Sequence, residues 1–276
     1  MPGPKWCPGF FLLFGVRIHN LDTGLLARSI TKSAIAVLYE SVLEQYYFWE
    51  IPEQTRSCMT FYDIMTTKRS DDPDVKSILA IYVNAETDSL DDDEPSSVGV
   101  HPRDIADDIE DVLFTARDLA HTETVVAIGP CGLDRSSRTG WAEQIHAFED
   151  MVSFSELVCK PLLVHCVRAH ADVVTLNREL QTVQPWVVLN FIKGPDTLER
   201  LVEAGIYVAF GSAIMQDGAA TDSVVAIPAD RLFLATGDDA SVSVKQLYER
   251  VAQLRGCTVQ DLCTQIEHNY ESVFNH

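Results

Sequence analysis

The stretch "PLLVHCVRAHADVVTLNREL", residues 161–180, decides the fold. Its opening, Pro161–Val167, is an apolar run broken only by His165, and its length suits a strand better than a helix. From Ala169 the texture changes. Val173, Leu176 and Leu180 recur at three- and four-residue steps between polar residues, the pattern of an amphipathic helix. A continuous apolar strand feeding a helix implies a parallel sheet buried on both faces.

Outward from this unit the alternation repeats. The strands read "TFYDIM" (60–65), "SILAIYVN" (77–84), "SSVGVHP" (96–102), "VVAIGPCG" (125–132), "PLLVHCV" (161–167), "WVVLNF" (186–191), "GIYVAFG" (205–211) and "RLFLATGDD" (231–239). Between them lie amphipathic stretches such as "DIADDIEDVLFTARDLA" (104–120), "WAEQIHAFEDMVSFSELV" (141–158) and "PDTLERLVEAG" (195–205). Eight strands with helical crossovers close a single (β/α)8 barrel of TIM type, and 276 residues suit one such barrel.

Residues 1–58 stand outside this pattern as an N-terminal extension, and 59–276 form the barrel domain. Within the extension "KSAIAVLYESVLEQYYFWEI" (32–51) reads as one amphipathic helix. Its 35–50 portion is a candidate docking element for a protein partner, or a cover for the bottom of its own barrel. The longest apolar run near the start, "GFFLLFGV" (9–16), is far short of the ~20 residues a membrane-spanning helix needs.

Charge narrows the function. The chain has 21 Lys+Arg against 41 Asp+Glu, a net −20. A field of that sign repels phosphate backbones and disfavours nucleic acid as a partner. Seven cysteines, with no CxxC pair, predict reduced thiols and a cytoplasmic protein. No Gly-x-Ser-x-Gly elbow and no Walker loop occurs.

In a barrel of this type chemistry gathers at the carboxyl-terminal rim. The strand ends there offer Met65 and Thr67, His101, Pro130 and Cys131, His165 and Cys166, Leu189 and Asn190, and Asp238 with Asp239. A hydrolytic metal centre needs imidazoles and carboxylates converging on one point. The rim supplies two histidines and an Asp pair. Asp134 lies beyond the expected end of its strand and is set aside. Cys131 and Cys166 read as buried, inert thiols, with no base aimed at them.

The framework words resemble the TatD-like metal-dependent hydrolases, a family that includes deoxyribonucleases. "SVGVHP" (97–102), "VVAIGPCGLDR" (125–135), "KPLLVHCVRAH" (160–170), "GIYVAFG" (205–211), "IPADRLFLATGDD" (227–239), "YERVAQLRG" (248–256) and "NYESVF" (269–274) follow the family's order and spacing. The likeness covers about residues 59 to 275.

That resemblance implies six metal-ligand positions, and this chain departs from four of them. The first strand's His-x-His falls on Met65 and Thr67, the bridging Glu of strand four on Pro130, and the His of strand six on Leu189. The His of strand five is kept as His165, and the Glu-Thr-Asp of strand eight reads Thr236-Gly237-Asp238, keeping the Asp. Met, Leu and Pro give no hard oxygen or imidazole donor to Mg²⁺, Mn²⁺ or Zn²⁺.

The expectation is a TatD-type barrel with its metal centre largely lost, inactive, and serving a binding or regulatory role without a cofactor. The alternative is an active phosphodiesterase with one divalent cation (Mg, Mn or Zn) on His165, Asp238 and His101, with Asp238 as the residual catalytic carboxylate. Lys68, Arg69, Arg103, Arg135, Arg168 and Lys193 follow strand ends; Arg168 and Lys193 are the candidate substrate-binding cations.

Overall fold

A computed structural model describes residues 59–275 apart from 85, 88–89, 91–93, 106–108 and 240. The helix expected at 35–50, and the extension that holds it, lie outside the described residues.

Eight strands form one parallel sheet in sequence order: β1 (Phe61–Thr66), β2 (Val75–Tyr82), β3 (Ser96–Gly99), β4 (Val125–Asp134), β5 (Leu162–Val167), β6 (Trp186–Val188), β7 (Tyr207–Phe210) and β8 (Leu232–Leu234). Seven α-helices are described: α1 (Ile109–Leu119), α2 (Trp141–Val158), α3 (His170–Leu180), α4 (Pro195–Glu203), α5 (Ala219–Ala226), α6 (Val244–Arg255) and α7 (Val259–Phe274). The sheet curls until its ends meet. Just beyond β8, the Gly237 amide donates to the Met65 carbonyl at 2.9 Å, and its own carbonyl accepts from the Thr67 amide at 3.1 Å. The expected barrel is the observed fold.

Packing follows from composition. Strand residues such as Ile64, Val98, Val164, Val208 and Phe233 are fully buried, each stabilising the fold by about 1.5–3 kcal/mol. The last two helices are set by their caps. Ser243 and Thr258 each accept from the amide three residues on and close capping boxes with Gln246 and Asp261. Gly256, at φ 66°, ends α6 in the left-handed conformation. Tyr62 ties α7 to β1, its hydroxyl donating to Glu267 at 3.2 Å and its ring lying 4.3 Å from Tyr270.

Several strand ends differ from the sequence expectation. β3 stops at Gly99, β6 at Val188 and β8 at Leu234, so His101, Leu189, Asn190, Asp238 and Asp239 sit on the loops that follow. Asn190, at φ 48°, turns the chain out of the sheet. β4 instead runs on to Asp134, which corrects the placing of that residue outside its strand. Gly129 and Gly132 make this path: a Cβ on either would meet a β5 carbonyl at 2.3 or 2.2 Å, and both have positive φ. Only glycine allows so close an approach.

Candidate functional site

The barrel mouth is assembled from residues on the strands and on the loops just beyond them. On β1, Asp63 is buried and accepts from the Thr236 amide at 2.9 Å and the Thr236 hydroxyl at 2.6 Å. Burial pushes its carboxyl up to about 6, against those hydrogen bonds. Asp63 therefore clasps the two ends of the sheet.

Across the mouth a second group forms. The Tyr82 hydroxyl donates to Asp238 Oδ1 at 3.3 Å, and its ring stands edge-on to His101 at 5.5 Å. His101 in turn lies against His165, ring centroids 4.3 Å apart. His165 Nε2 is buried without a hydrogen bond, 3.8 Å from Asp134 Oδ2. Burial, helped by His101, brings His165 down to about 4, and burial lowers His101 too, so both imidazoles are neutral at pH 7.

Asp134 is the ionised centre of this group. Its Oδ1 accepts from the Ser136 amide at 2.7 Å and hydroxyl at 2.5 Å, and its Oδ2 from Arg103 Nε at 2.8 Å. Burial works to raise the carboxyl, but these donors prevail and hold it at about 2. The Asp134 backbone is pinned as well, exchanging hydrogen bonds with the buried Gln144 side chain. Its "GLD" context in the sequence was the available signal; the strand extension that brings it into the mouth was not visible there.

Beside this group a cleft of about 480 Å³ is lined by Asn190, Ile192, Ser212, Thr236, Asp238 and Asp239. The Asn190 carboxamide covers Gly211 and Gly237, where added Cβ atoms would meet it at 2.5 and 2.8 Å. Asp239 is held at about 2 by hydrogen bonds from Ser212 and Ser241.

A model of the TatD-related DNases matches residues 74–275 of this chain. The chain belongs to the TatD-related DNase family. Among curated relatives, the 3'-5' ssDNA/RNA exonuclease TatD of Pantoea ananatis is 26% identical over 200 residues, covering 65% of this chain and 77% of that protein. The exonuclease of the same name from Edwardsiella piscicida is 33% identical over 147 residues, covering 51% and 56%. The crystal structure of YJJV, a TATD homolog from Escherichia coli k12, superposes with a TM-score of 0.66 at 17% identity, covering 79% of this chain and 99% of that one. At that identity the superposition speaks for the fold.

The match begins after β1, the strand that holds Met65. Met65 is 2% exposed and Leu189 5% exposed, both within the hydrophobic core, and Pro130 is buried in β4. Thr67 is exposed, its hydroxyl only 3.5 Å from the Gly237 carbonyl. Among the described residues no group of three or more His, Cys, Asp or Glu side chains is gathered to hold a metal ion. His101 and His165 are brought together, while Asp238 accepts from Tyr82 and lies close enough to His101 for its charge to act on the imidazole. Cys131 and Cys166 are both pushed up by burial, Cys166 to about 12, so neither is a thiolate at neutral pH.

The rim cations divide into two sets. Arg69 donates to the carbonyls of Ser77 and Pro95, Arg103 serves Asp134, and Arg135 pairs with Asp172 at 2.7 Å while stacking 4.0 Å over Trp141. Lys68 is exposed beside the β1 end. Arg168 and Lys193 line a separate cleft between α3 and α4.

Proposed function

We propose that this TatD-related barrel no longer performs metal-dependent hydrolysis and that its mouth serves a binding or regulatory role without a resident divalent cation. One observation carries this reading: Met65, Pro130 and Leu189, at three positions where the family resemblance puts ligands, are buried apolar groups. A hard cation needs lone pairs there, and none of the three provides an oxygen or an imidazole. The Asp134 carboxylate, a further oxygen source, already accepts from Ser136 and Arg103.

The chemistry left in the mouth is that of recognition. Two neutral imidazoles, the Tyr82 phenol and the Asn190 amide offer hydrogen bonds and flat ring faces beside a cleft. The relatives named as exonucleases make a nuclease the natural ancestor, with the protein surviving as a binder. No helix among the described residues is long and apolar enough to cross a membrane, and the five described cysteines are unpaired, which supports a reducing compartment such as the cytoplasm.

The test is elemental analysis after dialysis against Mn²⁺, Mg²⁺ and Zn²⁺, with a nuclease assay on single-stranded DNA and RNA. Metal content near zero and no cleavage are expected. One ion per chain, lost on His165→Ala or Asp238→Ala, would overturn the reading.

A further inference from the structure

Away from the mouth, α3 and α4 enclose a cleft of about 560 Å³ whose lining includes Arg168, Arg178, Lys193 and Arg200. Glu203 is the one carboxylate among its lining residues. None of the four cations forms an ion pair or side-chain hydrogen bond among the described residues, unlike Arg69, Arg103 and Arg135 on the same rim. The acid nearest in sequence to Arg168, Asp172, is taken by Arg135 through two hydrogen bonds of 3.2 and 2.7 Å. In a chain of net charge −20, a cleft lined by four cations and one carboxylate runs against the overall sign.

The backbone adds to that field. Arg168 and Lys193 stand just ahead of the first turns of α3 and α4, and neither helix has a side-chain cap hydrogen bond at its N-terminus. The positive ends of both helices therefore lie on the side of these two cations, while Arg178 and Arg200 stand in the last turns. Arg178 lies eight residues into α3, about 12 Å along the axis, so the charge runs down the groove rather than sitting at one point. Ala171 and Val174 give the groove an apolar part beside the charges.

We propose that the α3–α4 cleft binds a small molecule carrying two or more phosphate groups, gripped by Arg168 and Lys193 at the rim and by Arg178 and Arg200 further down. The volume is that of a small-molecule site, which typically spans roughly 300–1,000 Å³. An extended polyanion gains little more than a short one, because at physiological salt the attraction of these cations is largely screened beyond about 8 Å. The inference is independent of the proposed loss of hydrolysis, since none of its residues belongs to the mouth.

The probe is inorganic pyrophosphate, titrated calorimetrically into the full chain, with single-stranded oligothymidylate as comparison. Pyrophosphate is expected to bind once per chain, about tenfold or more weaker in Arg178→Gln/Arg200→Gln, each arginine supplying a charge-assisted contact. Tyr82→Phe, in the mouth, should leave binding unchanged. Without ligand the double variant should keep the parent's circular-dichroism spectrum and a cooperative melt, since it trades mutual repulsion against two favourable helix-end charges; that separates lost binding from lost folding. Absence of pyrophosphate binding at low salt, or binding indifferent to the double variant, sinks the proposal. Oligothymidylate binding that tightens with length and needs the same arginines would replace it with an extended-strand site.

Discussion

His165 Nε2 stands 3.8 Å from Asp134 Oδ2 inside the barrel mouth, buried and without a hydrogen bond. The carboxylate is engaged by Arg103 at 2.8 Å instead. Arg103 thus decides whether Asp134 acts as a partner for His165. In Arg103→Ala the carboxylate keeps the Ser136 donors but loses its cation, and its field on the imidazole strengthens. The His165 titration, followed by NMR of the ring nitrogens, should move upward from about 4. Arg103 is 58% exposed but Asp134 is fully buried, so leaving Oδ2 without its donor should cost about 1–3 kcal/mol. An unmoved His165 titration would show that the two groups are not coupled.

The buried titratable groups set opposing pH dependences. His165 and His170 titrate at about 4 when folded, below their usual 6.5. Between those values the unfolded chain binds more protons, so stability falls as the pH drops from 6.5 to 4. Asp63 is the reverse: held at about 6 against a usual 3.8, it is protonated more readily in the folded state, and stability falls as the pH rises from 3.8 to 6. Two histidines outweigh one carboxyl, so the protein should be less stable at pH 5 than at pH 7. Asp63→Asn removes the opposing contribution and should steepen that loss. Urea melts across the window measure both slopes; equal slopes in parent and variant would refute the role given to Asp63.

The apolar filling of the mouth makes a further prediction. Leu189→Ala should cost about 2–5 kcal/mol, as for other large-to-small changes in a packed core. Met65→His puts an imidazole where the family resemblance expects a ligand, at a position 2% exposed and within the hydrophobic core. It should destabilise by about 1–3 kcal/mol, the cost of burying a polar group without a partner. Thermal melts with and without Mn²⁺ or Zn²⁺ check this, and no recovery by metal is expected.

How much of this was legible depends on whether a feature is local. The strands of the barrel announced themselves as apolar runs because both their faces are buried, and the caps at Ser243 and Thr258 follow the spacing rules of helix starts. The ends of β6 and β8 did not. Leu189 and Phe191 continue the apolar run although the left-handed turn at Asn190 has already ended the strand. In β4 the error ran the other way: Gly129, Pro130 and Gly132 resemble a terminus, while the glycines in fact let the strand pass close to β5 and deliver Asp134. The Tyr82–Asp238 contact spans 156 residues, and the Arg168–Arg178–Lys193–Arg200 cleft needs two helices side by side. No pattern along the chain encodes such meetings; they follow only once the barrel closes.

Asn190 takes part in another such meeting, and that one is testable. It occupies the left-handed region at φ 48° and lays its amide over Gly211 and Gly237. A Cβ at residue 211 would stand 2.5 Å from Asn190 Oδ1 and 3.1 Å from the Ala235 carbonyl, so Gly211→Ala must displace the amide. In the parent this should cost about 1–3 kcal/mol, the usual range for overpacking. In an Asn190→Gly background the main obstacle is gone, and glycine accepts the left-handed backbone, so the same change should cost clearly less. Denaturant melts of the two single variants and the double variant give the coupling. A value near zero would mean that Asn190 does not rest on Gly211 in solution; a coupling of about 1 kcal/mol would place the amide at the edge of the cleft that the mouth offers a ligand.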